Sequence, residues 1–420
     1  MPNLLLFAYF YPPLGGPGVQ RPVKLVKYLK KFGWNTDVIT VKDIVFHSYD
    51  EELVKEDMSE NLFKAPSIDP MSILKKVGGK TKSTKNVYFG TPEKIKRIIR
   101  NSFPIDDKIG WYPGAWKIAK QQVKTKKYDA VMATMGPYTS GLLAYKVSKK
   151  YDIPLIIDYR DHWTLNPYSQ YSSRLLQNNA EKWEKRILEK ACLISTIGNV
   201  MKDELIQKFG SQLINKIHVM YNGYDEEDFK KIPKAENKEL IIRYIGNFYG
   251  HRTPKYFIKA LENLNNKGKL PRDILIEFVG NYDKENRKLI EDNSVSNFIS
   301  IREQVDHKKA IKLLMNCDAL LLFISSSTSK GILTGKIFEY LRSGKPIMAM
   351  VPIDGNAAGL LIEQDQNYIS TMEDIAAIEK DFLDLYKSLK AKTIVSTSVS
   401  AIFSRENQTR DFINFLESRI

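Results

Sequence analysis

The chain has 420 residues, enough for two or three domains, and its 43% apolar and 11% aromatic content can build real cores. It has two cysteines, Cys192 and Cys317, both in apolar surroundings, which excludes a disulfide framework and fits a reducing cytosol. The formal net charge of +15 is lopsided: residues 1–225 hold 35 Lys and Arg against 22 Asp and Glu, and residues 226–420 hold 29 against 27. A basic first half suits an anionic partner such as a membrane surface or a phosphorylated acceptor, and equally suits a solvated lysine-rich surface. The excess is spread over many helices and no recognition module accompanies it, so nucleic acid is not an expected partner.

Apolar runs of strand length fall at residues 4–10, 36–41, 130–134, 155–158 and 193–196. A second series follows at 240–246, 274–280, 298–301, 319–325 and 347–351. Amphipathic segments at 19–31, 140–150, 254–268, 307–315 and 335–342 alternate with them. This alternation predicts parallel sheets covered by helices on both faces, in two doubly wound, Rossmann-like domains. The run at 4–11 is too short to span a bilayer and stops at Pro12 and Pro13, so it reads as a buried first strand and not a signal peptide. No other stretch approaches a transmembrane span.

The first domain is expected over 1–222, with a lysine-rich insertion at about 43–125. Within the insertion lie a Lys/Thr/Ser tract at 80–85 and a basic segment, 92–103, with Ile95, Ile98, Ile99 and Phe103 at helical spacing. That segment reads as a membrane-surface helix or as a helix packed on its own domain. The joint falls near residues 221–225, after a strand-like stretch at 216–221 and before a polar linker. The second domain is expected over 223–405, and an amphipathic helix closes the chain over 406–420. Ligands of open α/β sheets sit outside the carboxyl ends of the strands, so two such domains facing each other would place a site in a central cleft.

Five strand-end loops carry candidate chemistry. The first, at 11–21, places Gly15, Gly16 and Gly18 where backbone can approach a ligand, with Arg21 in the first helical turn. It is neither a dinucleotide fingerprint nor a P-loop, and a tight strand–helix connection would look the same. The second is Gly-Pro-Tyr-Thr-Ser at 136–140, with Tyr138, which can offer amides and hydroxyls or simply cap a helix. The third, Asp-Tyr-Arg-Asp-His-Trp at 158–163, brings Arg160, Asp161 and His162 to a strand end, where charged residues more often face a cleft than a core. An Asp–Arg pair that stabilises the loop is the alternative, and Trp163 can wall an acceptor site. The fourth runs from Gly246 and Asn247 to Arg252, which can bridge a diphosphate or remain a surface arginine on a turn.

The fifth is GILTGKIFEYLRSGKPIMAMV at 331–351. Leu333, Thr334 and Gly335 open a short helix whose first amides lack intrahelical partners and whose dipole end is positive, as a phosphate requires. Lys336 adds a charge, and Glu339, a turn further on, can accept two ribose hydroxyls. Phosphate and sugar hydroxyls side by side are what a nucleotide-sugar site needs. No Asp-x-Asp, no zinc spacing and no Gly-x-Ser-x-Gly elbow occurs, so neither a metal nor a serine nucleophile is expected.

Together these motifs resemble, in order and over nearly the whole chain, the retaining glycosyltransferases of the large family 4 group (glycosyl transferases group 1). The resemblance is carried by YFYPPLGGPGVQRPVKLVKYLKKFGW, IIDYRDHWTLNPY, HVMYNGYDEEDF, YIGNFYGHRTPKYFIKAL, TGKIFEYLRSGKPIMAM and FSRENQTRDFINFL. It implies the GT-B fold, with a closing helix that can cross back to the first domain. It implies an NDP-sugar donor held by the C-terminal domain, a glycan or lipid-linked acceptor held by the N-terminal domain, and retention of configuration without a metal or other cofactor. On that resemblance, Arg252 and Lys336 neutralise the leaving diphosphate, with Asp161 and His162 as the other catalytic candidates on the acceptor side. Gly16, Gly246, Asn247, Leu333, Thr334, Gly335 and Glu339 would hold the donor. Gly15, Gly18, Arg21, Tyr138, Arg160 and Trp163 would line the acceptor side.

Two positions depart from that pattern. Gly331 stands where the group usually has the first of two glutamates, and Asn247 where an arginine is common. The expected function is a hexosyltransferase-type glycosyltransferase (EC 2.4 class) of surface polysaccharide or glycolipid synthesis. It would be cytoplasmic and peripheral at the inner face of the plasma membrane. A catalytically silent GT-B binding or scaffold subunit is the alternative, and a nucleotide-sugar isomerase on the same fold is a third reading.

Overall fold

The computed structural model describes residues 1–42, 44, 46, 49–68, 103, 105–166, 171–230, 232–233, 239–248, 251–325, 331, 333–393 and 399–420. The lysine-rich tract at 80–85 and residues 92–102 of the basic segment lie outside them. The chain divides into two compact units, residues 1–222 with 405–420, and residues 223–404.

The first unit holds seven strands: β1 (Asn3–Phe7), β2 (Asn35–Val41), β3 (Asn61–Ala65), β4 (Ala130–Thr134), β5 (Leu155–Asp158), β6 (Leu193–Thr196) and β7 (Ile217–Val219). They form one parallel sheet in the order β3-β2-β1-β4-β5-β6-β7. β4, β5 and β6 are buried at every position, as a sheet covered on both faces demands. The helix Pro17–Lys31 starts with proline at its first position and ends on Lys30 and Lys31, which suits the polarity of its dipole. The closing helix Arg405–Glu417 belongs to this unit: it buries Phe412 and Leu416, and Glu406 pairs with Lys31 at 2.8 Å.

The stretch read as an insertion is partly regular structure. Residues 51–56 and 112–125 are helical, and 61–65 form the edge strand β3, paired with β2 from Asp37–Asn61 to Val41–Ala65. Asn-Leu-Phe-Lys-Ala is too short and too polar to announce a strand, and pairing with β2 supplies what the side chains do not.

The second unit holds β8 (Leu240–Ile245), β9 (Ile274–Val279), β10 (Ile299–Arg302), β11 (Ala319–Phe323), β12 (Ile347–Met350) and β13 (Tyr368–Ser370). They form a parallel sheet in the order β10-β9-β8-β11-β12-β13. Strand order reverses between β1 and β4 in one sheet and between β8 and β11 in the other, and each reversal opens a crevice at the carboxyl ends. Among the described residues no helix is long and apolar enough to cross a membrane.

The register of β8 on β9 sets Arg243 opposite Glu277, and both are about 5% exposed or less. Glu277 also receives Arg302 at 2.8 Å, while Arg243 donates to the carbonyls of Leu313 and Asn316. Deleting the carboxylate strands a buried guanidinium. Glu277→Leu is expected to cost about 3–5 kcal/mol, read as a lower urea midpoint.

Candidate functional site

In the second unit the crevice lies between the end of β8 and the start of the helix Gly335–Ser343, which follows β11. Lys336, in the first turn of that helix, fills it. Its ammonium rests against Gly246, where an added Cβ would collide with Nζ, and Gly246 holds φ +151, which side chains avoid. Nζ also sits 4.9 Å from the centre of the Tyr244 ring. Burial, reinforced by the charge of Arg252 and opposed by Glu339, pushes the Lys336 pKa down to about 7. Two basic side chains therefore act on each other beside a helix start with no acidic residue in its first turn. That arrangement welcomes a polyanion.

The other donor candidates gather here. Thr334 is the N-cap in extended conformation, and its Oγ1 is buried without a hydrogen-bond partner. Leu333 is buried beside it. Gly331 accepts from Asn356 Nδ2 at 3.4 Å. Asn247 is engaged elsewhere: its Oδ1 accepts from the Asn281 amide at 2.9 Å, tying the loop after β8 to the loop after β9.

Glu339 lies three residues beyond Lys336, on the same helix face. Its Oε1 accepts from His307 Nε2 at 2.9 Å, and His307 Nδ1 lies 3.9 Å from Asp228. Arg342, three residues further, grips Glu226 with two hydrogen bonds, one of 2.6 Å. Sequence reasoning missed His307 and Asp228. Neither sits in a glycine-rich loop, and 78 residues of chain lie between them.

In the first unit Arg160, just beyond β5, turns back into the crevice between β1 and β4. A Cβ on Gly18 would collide with its guanidinium, and one on Gly136 would come within 3.5 Å of Nη2. Nη2 donates to the Gly136 carbonyl at 3.4 Å, and Nε lies 3.3 Å from the exposed carboxylate of Asp161. Gly16 caps the helix Pro17–Lys31 without any side-chain acceptor, and no acid stands in its first turn. Gly15 is buried behind it. Tyr138 stacks on Trp163 at 4.8 Å and donates to the His162 carbonyl at 2.6 Å. His162 Nε2 meets Glu204 at 2.6 Å, and Glu204 is another partner that sequence reasoning missed.

Two acceptor-side candidates are framework. Arg21 is 5% exposed and grips Asp158 through Nε at 3.0 Å and Nη2 at 2.6 Å, while Nη1 reaches the carbonyls of Met220 and Tyr221. All three of its guanidinium nitrogens donate to protein, so it positions the strand end that carries Arg160. Trp163 is fully buried behind Tyr138, which is itself only partly exposed.

A family model described as Glycosyltransferase Family 4 matches residues 18–228. No curated protein matches the sequence. Among solved structures, HepE of Anabaena in complex with UDP is 15% identical over 100% of both chains, with a TM-score of 0.64. A TarM variant of S. aureus, in complex with UDP, fondaparinux and alpha-GlcNAc-glycerol, is 11% identical over 99% of both chains, with a TM-score of 0.60. UDP-GlcNAc 2-epimerase from Neisseria meningitidis, bound to UDP-GlcNAc, is 12% identical over 100% of both chains, with a TM-score of 0.56. At these identities the likeness concerns the fold, which is the two-domain α/β GT-B fold. The family match begins at Gly18, spans the Arg160 loop and covers just over half of the chain: this protein belongs to that glycosyltransferase family.

Proposed function

We propose that this chain transfers a sugar from a nucleoside-diphosphate sugar to a glycan or lipid-linked acceptor, with retention of configuration, in the synthesis of a surface polysaccharide or glycolipid. The observation that carries the reading is Lys336, held against Gly246 beside Arg252 and Glu339. The two cations neutralise the charge that develops on the diphosphate as the anomeric C–O bond breaks, which is the role a divalent metal takes in other transferases. Glu339 accepts the ribose hydroxyls. The acceptor hydroxyl forms the new bond on the same face and yields its proton to the departing phosphate oxygen. The UDP complex of HepE supports a uridine nucleotide. Arg160, with the uncapped helix start at Gly16, serves the acceptor side together with Asp161, His162 and Tyr138.

The scaffold reading is favoured by Gly331 and by the commitment of Asn247 to Asn281. The isomerase reading is favoured by the fold shared with the epimerase. Both are separated from transfer by incubating the chain with UDP-sugars. Slow hydrolysis without epimerised product supports the transferase, and an inert chain supports the scaffold.

A cytoplasmic enzyme peripheral to an anionic membrane fits the first unit. The helices Tyr112–Thr125 and Thr139–Tyr151 carry Lys117, Lys120, Lys124, Lys146, Lys149 and Lys150 without one acidic residue. Trp116 lies between them, under Lys120 and Lys150. Such a face suits lipid headgroups.

Arg252→Ala and Glu339→Ala are each expected to lower turnover by a factor on the order of a hundred with an unchanged thermal transition, and near-normal turnover in both would overturn the site. A diphosphate beside Lys336 favours its charged form, so binding raises a pKa that starts at about 7. Nucleoside diphosphate binding should therefore take up a proton slightly above neutrality, and its affinity should fall as pH rises beyond that value. Calorimetry in two buffers of different ionisation heat measures the uptake, which Lys336→Arg should abolish. The chain should also sediment with anionic vesicles at low salt and be released as salt is raised; no sedimentation at low salt reduces the basic face to solvated surface.

A further inference from the structure

Glu339 is anchored as well as placed. The helix Gly335–Ser343 presents two side chains, Glu339 and Arg342, to one short turn, Glu226–Phe229. Arg342 reaches the turn directly through Glu226. Glu339 reaches it through His307: 2.9 Å from Nε2 to the Glu339 carboxylate, then 3.9 Å from Nδ1 to Asp228. The three side chains of this relay are 9–17% exposed, and Glu339 is the most exposed of them.

Two structural duties near His307, capping its helix and fastening the turn, are carried by other residues. It is the first residue of the helix His307–Met315, but that helix is capped by Asp306, whose carboxylate accepts from the Lys309 amide at 2.8 Å. The turn is already fastened by the Arg342–Glu226 pair, and Arg342 also covers the Phe229 ring at 5.1 Å. What the imidazole adds is a donor to Glu339. An ionised carboxylate cannot donate, so the proton of that hydrogen bond sits on Nε2, and Nδ1 faces Asp228. That hydrogen bond to Oε1 restrains the rotation of the carboxylate. A ribose diol needs a carboxylate presented in that way.

We infer that His307 is a positioning residue that fixes Glu339 for the 2′- and 3′-hydroxyls of the donor ribose, so that hydroxyl recognition belongs to the His307–Glu339 pair and not to Glu339 alone. The inference rests on the reading of Glu339 as the ribose acceptor.

The test is a thermodynamic cycle on the full chain, with UDP, GDP and ADP and their 2′-deoxy counterparts as probes in titration calorimetry. For the nucleotide that binds best, His307→Leu should weaken affinity about tenfold, the loss expected when a charged hydrogen-bond acceptor loses its partner. His307→Gln, whose amide can still donate, should recover most of it. The 2′-deoxy counterpart should bind the wild type much more weakly than the ribonucleotide, whereas His307→Leu should bind the two nearly alike, a coupling that a merely structural residue would not produce. His307→Asn, polar but too short to reach Glu339, should behave like the leucine variant and stands in if that one fails to fold. Wild-type affinity and an undiminished 2′-hydroxyl effect in the His307 variants, with Glu339→Ala weakened, would overturn the relay and leave the ribose reading intact. Unchanged affinity in Glu339→Ala, or no binding of any nucleotide to the wild type, would overturn the ribose reading and the relay with it.

Discussion

A cation pressed into the crevice of each sheet is the constraint around which the rest is arranged. Parallel sheets covered by helices have only one place for a ligand, the point where strand order reverses, and there the backbone must come close to whatever binds. This chain puts Lys336 into that point of one sheet and Arg160 into that of the other. Each fits only because its neighbour across the crevice is a glycine, Gly246 for the lysine and Gly18 for the arginine. A methyl group at either position would push the charge out. The glycines matter for the room they leave to a charge, beyond any turn they make.

Holding a charge in that room requires a second layer. Arg21 binds Asp158 and the carbonyls of Met220 and Tyr221, joining the ends of β5 and β7 to the first helix, and Ser195 of β6 donates to the same Asp158 carboxylate. The loop that carries Arg160 thus leaves a strand end that cannot shift. In the other unit the Glu226 carboxylate holds the helix Gly335–Ser343 through Arg342, and His307 bonds the Glu339 of that helix. The two layers divide the electrostatics. Buried, fully paired ions such as Arg243–Glu277 organise the sheets, and the incompletely neutralised ones face the crevices.

Legibility followed the physics of each signal. Strands buried on both faces, such as Leu-Ile-Ile-Asp of β5, are continuous apolar runs and were visible. The edge strands β3 and β13 were not, since an edge strand is defined by its partner and needs little apolar content of its own. The lysine-rich insertion was overdrawn for the same reason: composition hid the strand and the helix at 112–125. At the site, a glycine beside a lysine at a helix start pointed to Lys336, and a run of charged residues at a strand end pointed to Arg160. Arg21 and Trp163 were legible as notable residues but not as framework. No local pattern distinguishes an arginine that waits for a ligand from one whose guanidinium nitrogens all bond inside the fold.

The sequence alone determined the alternation of strand and helix, the two sheets, and the loops that must lie at their carboxyl ends, because hydrophobic period and glycine placement are local properties. It also placed Lys336 at a helix start and Glu339 one turn away, since that spacing belongs to the helix itself. Only the tertiary structure decided which charges meet. His307 comes to Glu339 and Glu204 to His162 across long stretches of chain. Burial then lowers the Lys336 pKa, and burial is a property of the packed neighbourhood, which no segment of the sequence contains.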